Sequence, residues 1–220
     1  MTKSNAQLRR DVLQELEYEP SVNAESIGVT AQDGIVGLTG NVESYAEQCA
    51  AVDAAERVAG VKAVTDELKV DLPSQHILND TDIAREPINA LQWDVRVPSE
   101  RIKVKVMNGG VTLEGEVDFK YQQDAASIAV RNLIGVKGVL NLITIKPPAV
   151  MPSEIKAKID SALERAAEVD ASHIKVNVVN DKVVLHGRVS SWAERKEAER
   201  AAWSAPGVRA VEDDLVIAVK

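Results

Sequence analysis

What this 220-residue chain has least of is cysteine and aromatic rings. Its one cysteine, Cys49, excludes an internal disulfide framework. Nothing in the sequence pairs it with a base, so it reads as an inert thiol, at the surface or half-buried. Seven aromatic residues give few platforms for stacking bases, and a formal charge of −8 has the wrong sign for phosphate. No nucleic-acid partner is expected. No apolar run approaches the roughly 18 residues of a membrane span, and MTKSNAQLRRDVLQELE has no apolar stretch behind its basic residues, as a secretory signal would. The expectation is a cytoplasmic protein, at most peripheral to the inner membrane.

Chemistry is equally sparse. His76, His173 and His186 fall in a linker, ahead of a strand and inside a strand, with no partner at a metal-ligand spacing. Neither a metal nor another cofactor is expected, and the acidic run Glu212–Asp214 reads as a solvated edge. No acid, base and nucleophile converge in any pattern, so no catalytic residue is assigned and the chain reads as non-enzymatic. The charge is uneven: residues 7–72 hold 5 basic and 13 acidic side chains, residues 80–147 hold 9 of each, and residues 153–220 hold 11 and 12. The acidity belongs to the first third, which repels anionic surfaces.

What the chain does have is repetition. VGLTGNV, VTLEGEV and VVLHGRV place Gly40, Gly115 and Gly187 in one column, and 20 residues on come Gly60, Gly135 and Gly207, each followed by valine. Self-similarity of this kind decides the architecture. Ahead of each anchor, ESIGVT, RIKVKVMN and HIKVNVVN alternate apolar and polar with the period of a half-buried strand. Asp33-Gly34, Asn108-Gly109 and Asn180-Asp181 then predict tight hairpins. After the second strand the period becomes helical, with Ser44-x-x-Glu47 and Ser191-x-x-Glu194 as capping boxes and Asp118 as the expected cap in the second copy. Gly60, Gly135 and Gly207 fall where those helices end and a left-handed residue is favoured. A first helix precedes each hairpin, marked by Leu8, Val12 and Leu16 and by Ile155, Ile159 and Leu163. In the second copy Pro87 predicts a helix broken there or starting there. The unit is αββαβ.

These three copies resemble BON domains, a small bacterial module of osmotic-stress and nodulation-related proteins, on the VxLxGxV strand, the helix after it and the GVxxV entry to the last strand. The resemblance implies an α+β fold, two helices packed on one face of a three-stranded mixed sheet, repeated over residues 1–72, 80–147 and 152–220. It also implies a phospholipid membrane surface as partner, within an envelope or osmotic stress response. GLTG, Gly37 to Gly40, has the form of an RNA-clamping GXXG loop but sits in a strand and is not repeated.

Two surfaces stand out as contact sites. Arg101, Lys103 and Lys105 alternate with apolar residues and share the face away from the core, a stripe able to meet phosphate headgroups or to pair with Glu114 and Glu116 on the next strand. Trp192 and Trp203 lie 11 apart on one helix, close enough in angle to belong to one lipid-facing patch, although partial core burial is the commoner state of tryptophans such as these and Trp93. Val179, Val184 and Val216 point outward in the third copy and mark an interface with another repeat or subunit. The alternatives to lipid binding are a protein-binding or self-assembling scaffold and an ion or small-ligand sensor.

Overall fold

The computed structural model describes residues 3–166 and 169–218; the expected bounds at residues 1 and 220 lie outside them. Each third of the chain builds the same unit. The first comprises α1 (Asn5–Tyr18), β1 (Ile27–Gln32), β2 (Ile35–Val42), α2 (Tyr45–Arg57) and β3 (Ala63–Val70). The second comprises α3 (Asp80–Trp93), β4 (Ile102–Met107), β5 (Gly110–Val117), α4 (Lys120–Arg131) and β6 (Gly138–Ile145). The third comprises α5 (Pro152–Arg165), β7 (Ile174–Val179), β8 (Lys182–Val189), α6 (Trp192–Trp203) and β9 (Ala210–Ile217).

In every unit the hairpin is antiparallel, and the last strand returns parallel to the central one, giving the orders β1-β2-β3, β4-β5-β6 and β7-β8-β9. Both helices cover one face of the sheet and leave the other open. The turns take the predicted left-handed residues, with φ of 52° at Asp33 and Asn108 and 57° at Asn180. The anchor glycines are required for a different reason. A Cβ on Gly40, Gly115 or Gly187 would stand 2.1, 2.2 or 2.0 Å from a backbone oxygen across the hairpin, with φ between 126° and 153°, so no other residue fits there.

The first helices present the expected stripes to the core: Leu8, Val12 and Leu16; Ile83, Pro87 and Leu91; Ile155, Ile159 and Leu163. The expectation for Pro87 is corrected here, because α3 runs unbroken from Asp80 to Trp93 with Pro87 inside it. Pro87 occupies the place of Val12 and Ile159, and its buried ring fills the middle of the stripe. That burial offsets a helix defect of about 3 kcal/mol. On the second helices the small residues Ala51, Ala54 and Ala55, Ala125 and Ala126, and Ala198, Ala201 and Ala202 are buried, which lets each helix lie close on its sheet.

The serine caps form as predicted in two copies, while the glutamates reach past the cap residue to other loop N–H groups. Ser44 accepts from the Glu47 N–H and Ser191 from the Glu194 N–H, each at 3.1 Å. Each glutamate is buried and spans two loops: Glu47 accepts from the N–H groups of Asn23 and Glu43, and Glu194 from those of Asp170 and Ser190. In the second copy Asp118 is not the cap. Its carboxylate pairs with Arg101, and Gln122 accepts from the N–H groups of Asp118 and Phe119 instead. The column of Asn23 and Asp170 holds Pro98 there, which has no N–H to donate, so a residue spanning both loops would find nothing to bind.

The outer edges β3, β6 and β9 share a polar clip that the alternation pattern did not reveal. Asp66, Asn141 and Asp213 turn a side-chain oxygen onto the N–H two residues on, at 3.0, 3.1 and 2.9 Å. From the helix above, Gln48 and Arg195 bond to Asp66 and Asp213, and Gln123 bonds to the Ile143 carbonyl. Edge groups that are open to strand addition are thereby occupied within the unit.

Candidate functional site

The three units meet through their second helices, and equivalent residues make equivalent contacts. Tyr45, Lys120 and Trp192 are the first residues of α2, α4 and α6. Tyr45 packs against the core of the second domain, and Trp192 packs against those of the third and first. Lys120 sets its ammonium 5.7 Å from the ring centroid of Trp203, the last residue of α6, and Trp203 packs against the cores of the second and third domains. The start of α2 thus meets domain two, the start of α4 meets the end of α6, and the start of α6 meets domain one. This is a head-to-tail ring in which the start of each second helix faces the next domain. Lys196 bonds Glu56 at 2.6 Å and Asp53 at 3.4 Å across the junction of domains three and one. Burial draws the Lys196 ammonium down, but the hydrogen bond and charge of Glu56 outweigh it and hold the group above its usual range.

Cys49 lies at the junction of domains one and two, half-buried between Tyr45 and Arg131. Burial pushes its thiol up despite the Tyr45 hydrogen bond and the nearby Arg131 charge, and pushes the Tyr45 phenol up as well. A thiol with a raised pKa is a poor nucleophile. Among the described residues no group of three or more His, Cys, Asp or Glu side chains gathers into a metal-sized cluster, and no helix is long and apolar enough to cross a membrane.

Trp192 and Trp203 do not form one patch. They sit at opposite ends of α6, about 16 Å apart along the axis, and each is half-buried against a different neighbouring domain. Entry of either ring into a bilayer requires domains to separate. The partial burial expected of the tryptophans fails for Trp93, which is 86% exposed at the end of α3.

The open face of the second domain collects the other candidates. Its rows run Met107–Gly110–Gly138, Lys105–Thr112–Leu140 and Lys103–Glu114–Leu142 across β4, β5 and β6. Lys103 faces Glu114, Arg101 is paired with Asp118 at 3.0 Å, and Glu116 is paired with Lys146 at 3.5 Å. Lys105 faces Thr112 and has no acid opposite. On the far side of β5 from Lys103 and Lys105, and on the same face, stand Leu140 and Leu142, 55% and 50% exposed, a pair the alternation pattern did not single out. The signal was in the columns: where copy two has these leucines, copy one has Thr65 and Glu67, and copy three has Glu212 and Asp214.

On the third domain, Val184 lies in the row Asn177–Val184–Glu212, while Val179 faces Lys182 and Val216 lies beside Arg188. Val179 and Val216 are exposed and Val184 is half-buried. The row of Lys175, His186 and Asp214 separates Val184 from Val216, so the three valines are not contiguous.

The model of the BON domain family matches residues 4–71, 79–147 and 153–219. The chain is similar to osmotically-inducible protein Y of Escherichia coli K12, with 34% identity over 130 residues. That match covers 57% of this chain and 65% of the relative, so it spans just under two thirds of the relative's length. Among solved structures it is similar to CdsD, a structural protein of the type III secretion system of Chlamydia trachomatis, at 16% identity over 96% of this chain and 92% of that one, with a TM-score of 0.28. For the C-terminal domain of CdsD the identity is again 16%, over 98% and 100% of the two chains, with a TM-score of 0.27.

Proposed function

The chain belongs to the BON domain family in three tandem copies, and from that premise we propose that it is a non-enzymatic module of the osmotic-stress response that docks on anionic phospholipid surfaces through the open sheet face of its second domain. The name of the Escherichia coli relative supports the stress setting. The observation that carries the docking face is that exposed Leu140 and Leu142 on β6 share one open sheet face with Lys103 and Lys105 on β4. Aliphatic side chains enter the headgroup boundary, and each lysine near an anionic surface contributes about 1 kcal/mol. The acidic first domain, net −8 over residues 7–72, is repelled by the same surface and turns outward.

Co-sedimentation with phosphatidylglycerol vesicles tests this reading. Binding is expected at low salt, weakening as salt rises, and it is expected to be lost in Leu140→Asp/Leu142→Asp and reduced in Lys103→Glu/Lys105→Glu. Absence of sedimentation at low salt ends the proposal. A second reading, a self-assembling scaffold, is favoured by one observation: Trp93 stands exposed while an aromatic-lined cleft is open between α4 and α6.

A further inference from the structure

The cleft between α4 and α6, at the junction of domains two and three, has a volume of about 520 Å³ and is walled by Phe119, Tyr121 and Trp203. That lies within the range of sites that enclose a compact ligand, roughly 300–1,000 Å³. Phe119 and Tyr121 stack with their centroids 5.7 Å apart, and Trp203 is fixed by the cores of both domains. The fold does not call for rings at these places. Their columns hold Ser44 and Ser191, Ala46 and Ala193, and Glu56 and Arg131 in the sister copies. Yet three of the chain's seven aromatic residues gather here. Phe119 and Tyr121 are 36% and 55% exposed, so core packing does not account for them.

The charges around the cleft select the sign of a ligand. A cation already lies in it: the Lys120 ammonium stands 5.7 Å from the Trp203 centroid and is ion-paired with Asp124. A ring face attracts a positive charge out to about 6 Å. The other two cations of the rim are committed elsewhere, Lys196 to Glu56 and Asp53, and Arg200 to Glu197. Glu199 is the opposite case. Its carboxylate lines the cleft, is half-buried and pairs with no cation among the described residues, accepting instead the Trp203 indole N–H at 3.3 Å. An indole that donates to a carboxylate is polarised toward a more negative face, which favours a cation above it.

We propose that this cleft binds a quaternary ammonium group, which takes the place of the Lys120 ammonium over Trp203, with Phe119 and Tyr121 beside it and Glu199 balancing its charge. A quaternary centre has no N–H to satisfy and presents only methyl groups, so it is matched by rings and a nearby negative charge rather than by a cage of acceptors. Lys120 swings aside at little cost, because its bond to Asp124 is a partly exposed i,i+4 pair. Two sources carry the group, a free solute and the headgroup of phosphatidylcholine. The cleft is separate from the sheet face that meets anionic lipid, and either reading can fail alone.

Isothermal titration calorimetry of the full chain with choline chloride tests it, beside the neutral isostere in which carbon replaces the charged nitrogen. Saturable one-to-one binding of choline is expected, with none of the isostere. Tyr121→Leu and Glu199→Gln are each expected to weaken it by about threefold or more, and Lys120→Met, which removes the resident cation, to tighten it. Trp203→Leu is expected to abolish it; if that chain does not fold, the variants at Tyr121 and Glu199 decide the matter. Phosphatidylcholine vesicles form the second arm. Sedimentation that free choline competes away assigns the headgroup as the source, and choline binding without sedimentation assigns a free solute. No saturable binding of choline, equal binding of the isostere, an affinity unchanged in both Tyr121→Leu and Glu199→Gln, or weaker binding in Lys120→Met each overturns the proposal.

Discussion

Lys196 in the third domain holds its ammonium 2.6 Å from the carboxylate of Glu56 in the first, and so joins the two domains that no linker connects. Lys196→Glu sets a third acid against Glu56 and Asp53 and is expected to open the ring there. The pair is partly exposed, so the coupling is modest, about 0.5–1 kcal/mol. X-ray scattering is expected to show a larger radius of gyration, with recovery in the charge-swapped Lys196→Glu/Glu56→Lys.

Burial draws the Glu194 carboxyl up, but hydrogen bonds from the Ser190 hydroxyl and from the backbone of Ser190 and Asp170 outweigh it and leave the group below its usual value. A depressed folded-state pKa means that its stabilisation is present above the unfolded value of 4.5 and is lost as pH falls from there through the folded value. Glu194→Gln is expected to flatten the acid limb of the third domain's stability and to cost about 1–3 kcal/mol at neutral pH. Denaturant titrations at a series of pH values read both effects.

Gly115→Ala would place a Cβ 2.2 Å from the Arg101 carbonyl oxygen at a φ of 153°. The expected loss is about 3 kcal/mol or more, seen as a lower midpoint for the second domain. Gly138→Ala is the control, because nothing lies within 4 Å of its added carbon. It is expected to be neutral or to gain about 0.5 kcal/mol.

Pro87→Val restores an N–H facing the Ile83 carbonyl and keeps the column of Val12 and Ile159 apolar. A gain of about 1 kcal/mol in the stability of the second domain is expected from the recovered helix bond. Thermal unfolding of the full chain with a probe on that domain measures it.

The repeat was legible because its defining positions admit few residue types. Gly115 is demanded by an oxygen across the hairpin, so its column is glycine in all three copies, and Ser191 with Glu194 by orphan donors at a helix start, a pair kept in two copies and replaced by Phe119 and Gln122 in the other. Pro87 misled because a local propensity was weighed without the burial that overrides it, and Asp118 because Arg101 competes for the same carboxylate. The ring was not legible for a different reason. Its column holds tyrosine, lysine and tryptophan, three residues that share a place and no chemistry, and their common role appears only when the helices are set side by side. The leucine pair on β6 was readable by column comparison, since Glu67 and Asp214 occupy the place of Leu142 in the sister copies.

The head-to-tail closure of the second helices has one more consequence. In a trimer of identical subunits, any change to a contact is made in all three places at once, and a substitution harmful in one is harmful in every one. Here the three protomers are fused in a single polypeptide, so each junction is free to be built from different residues, with the aromatic ring coming from the helix start at Tyr45 and Trp192 and from the helix end at Trp203.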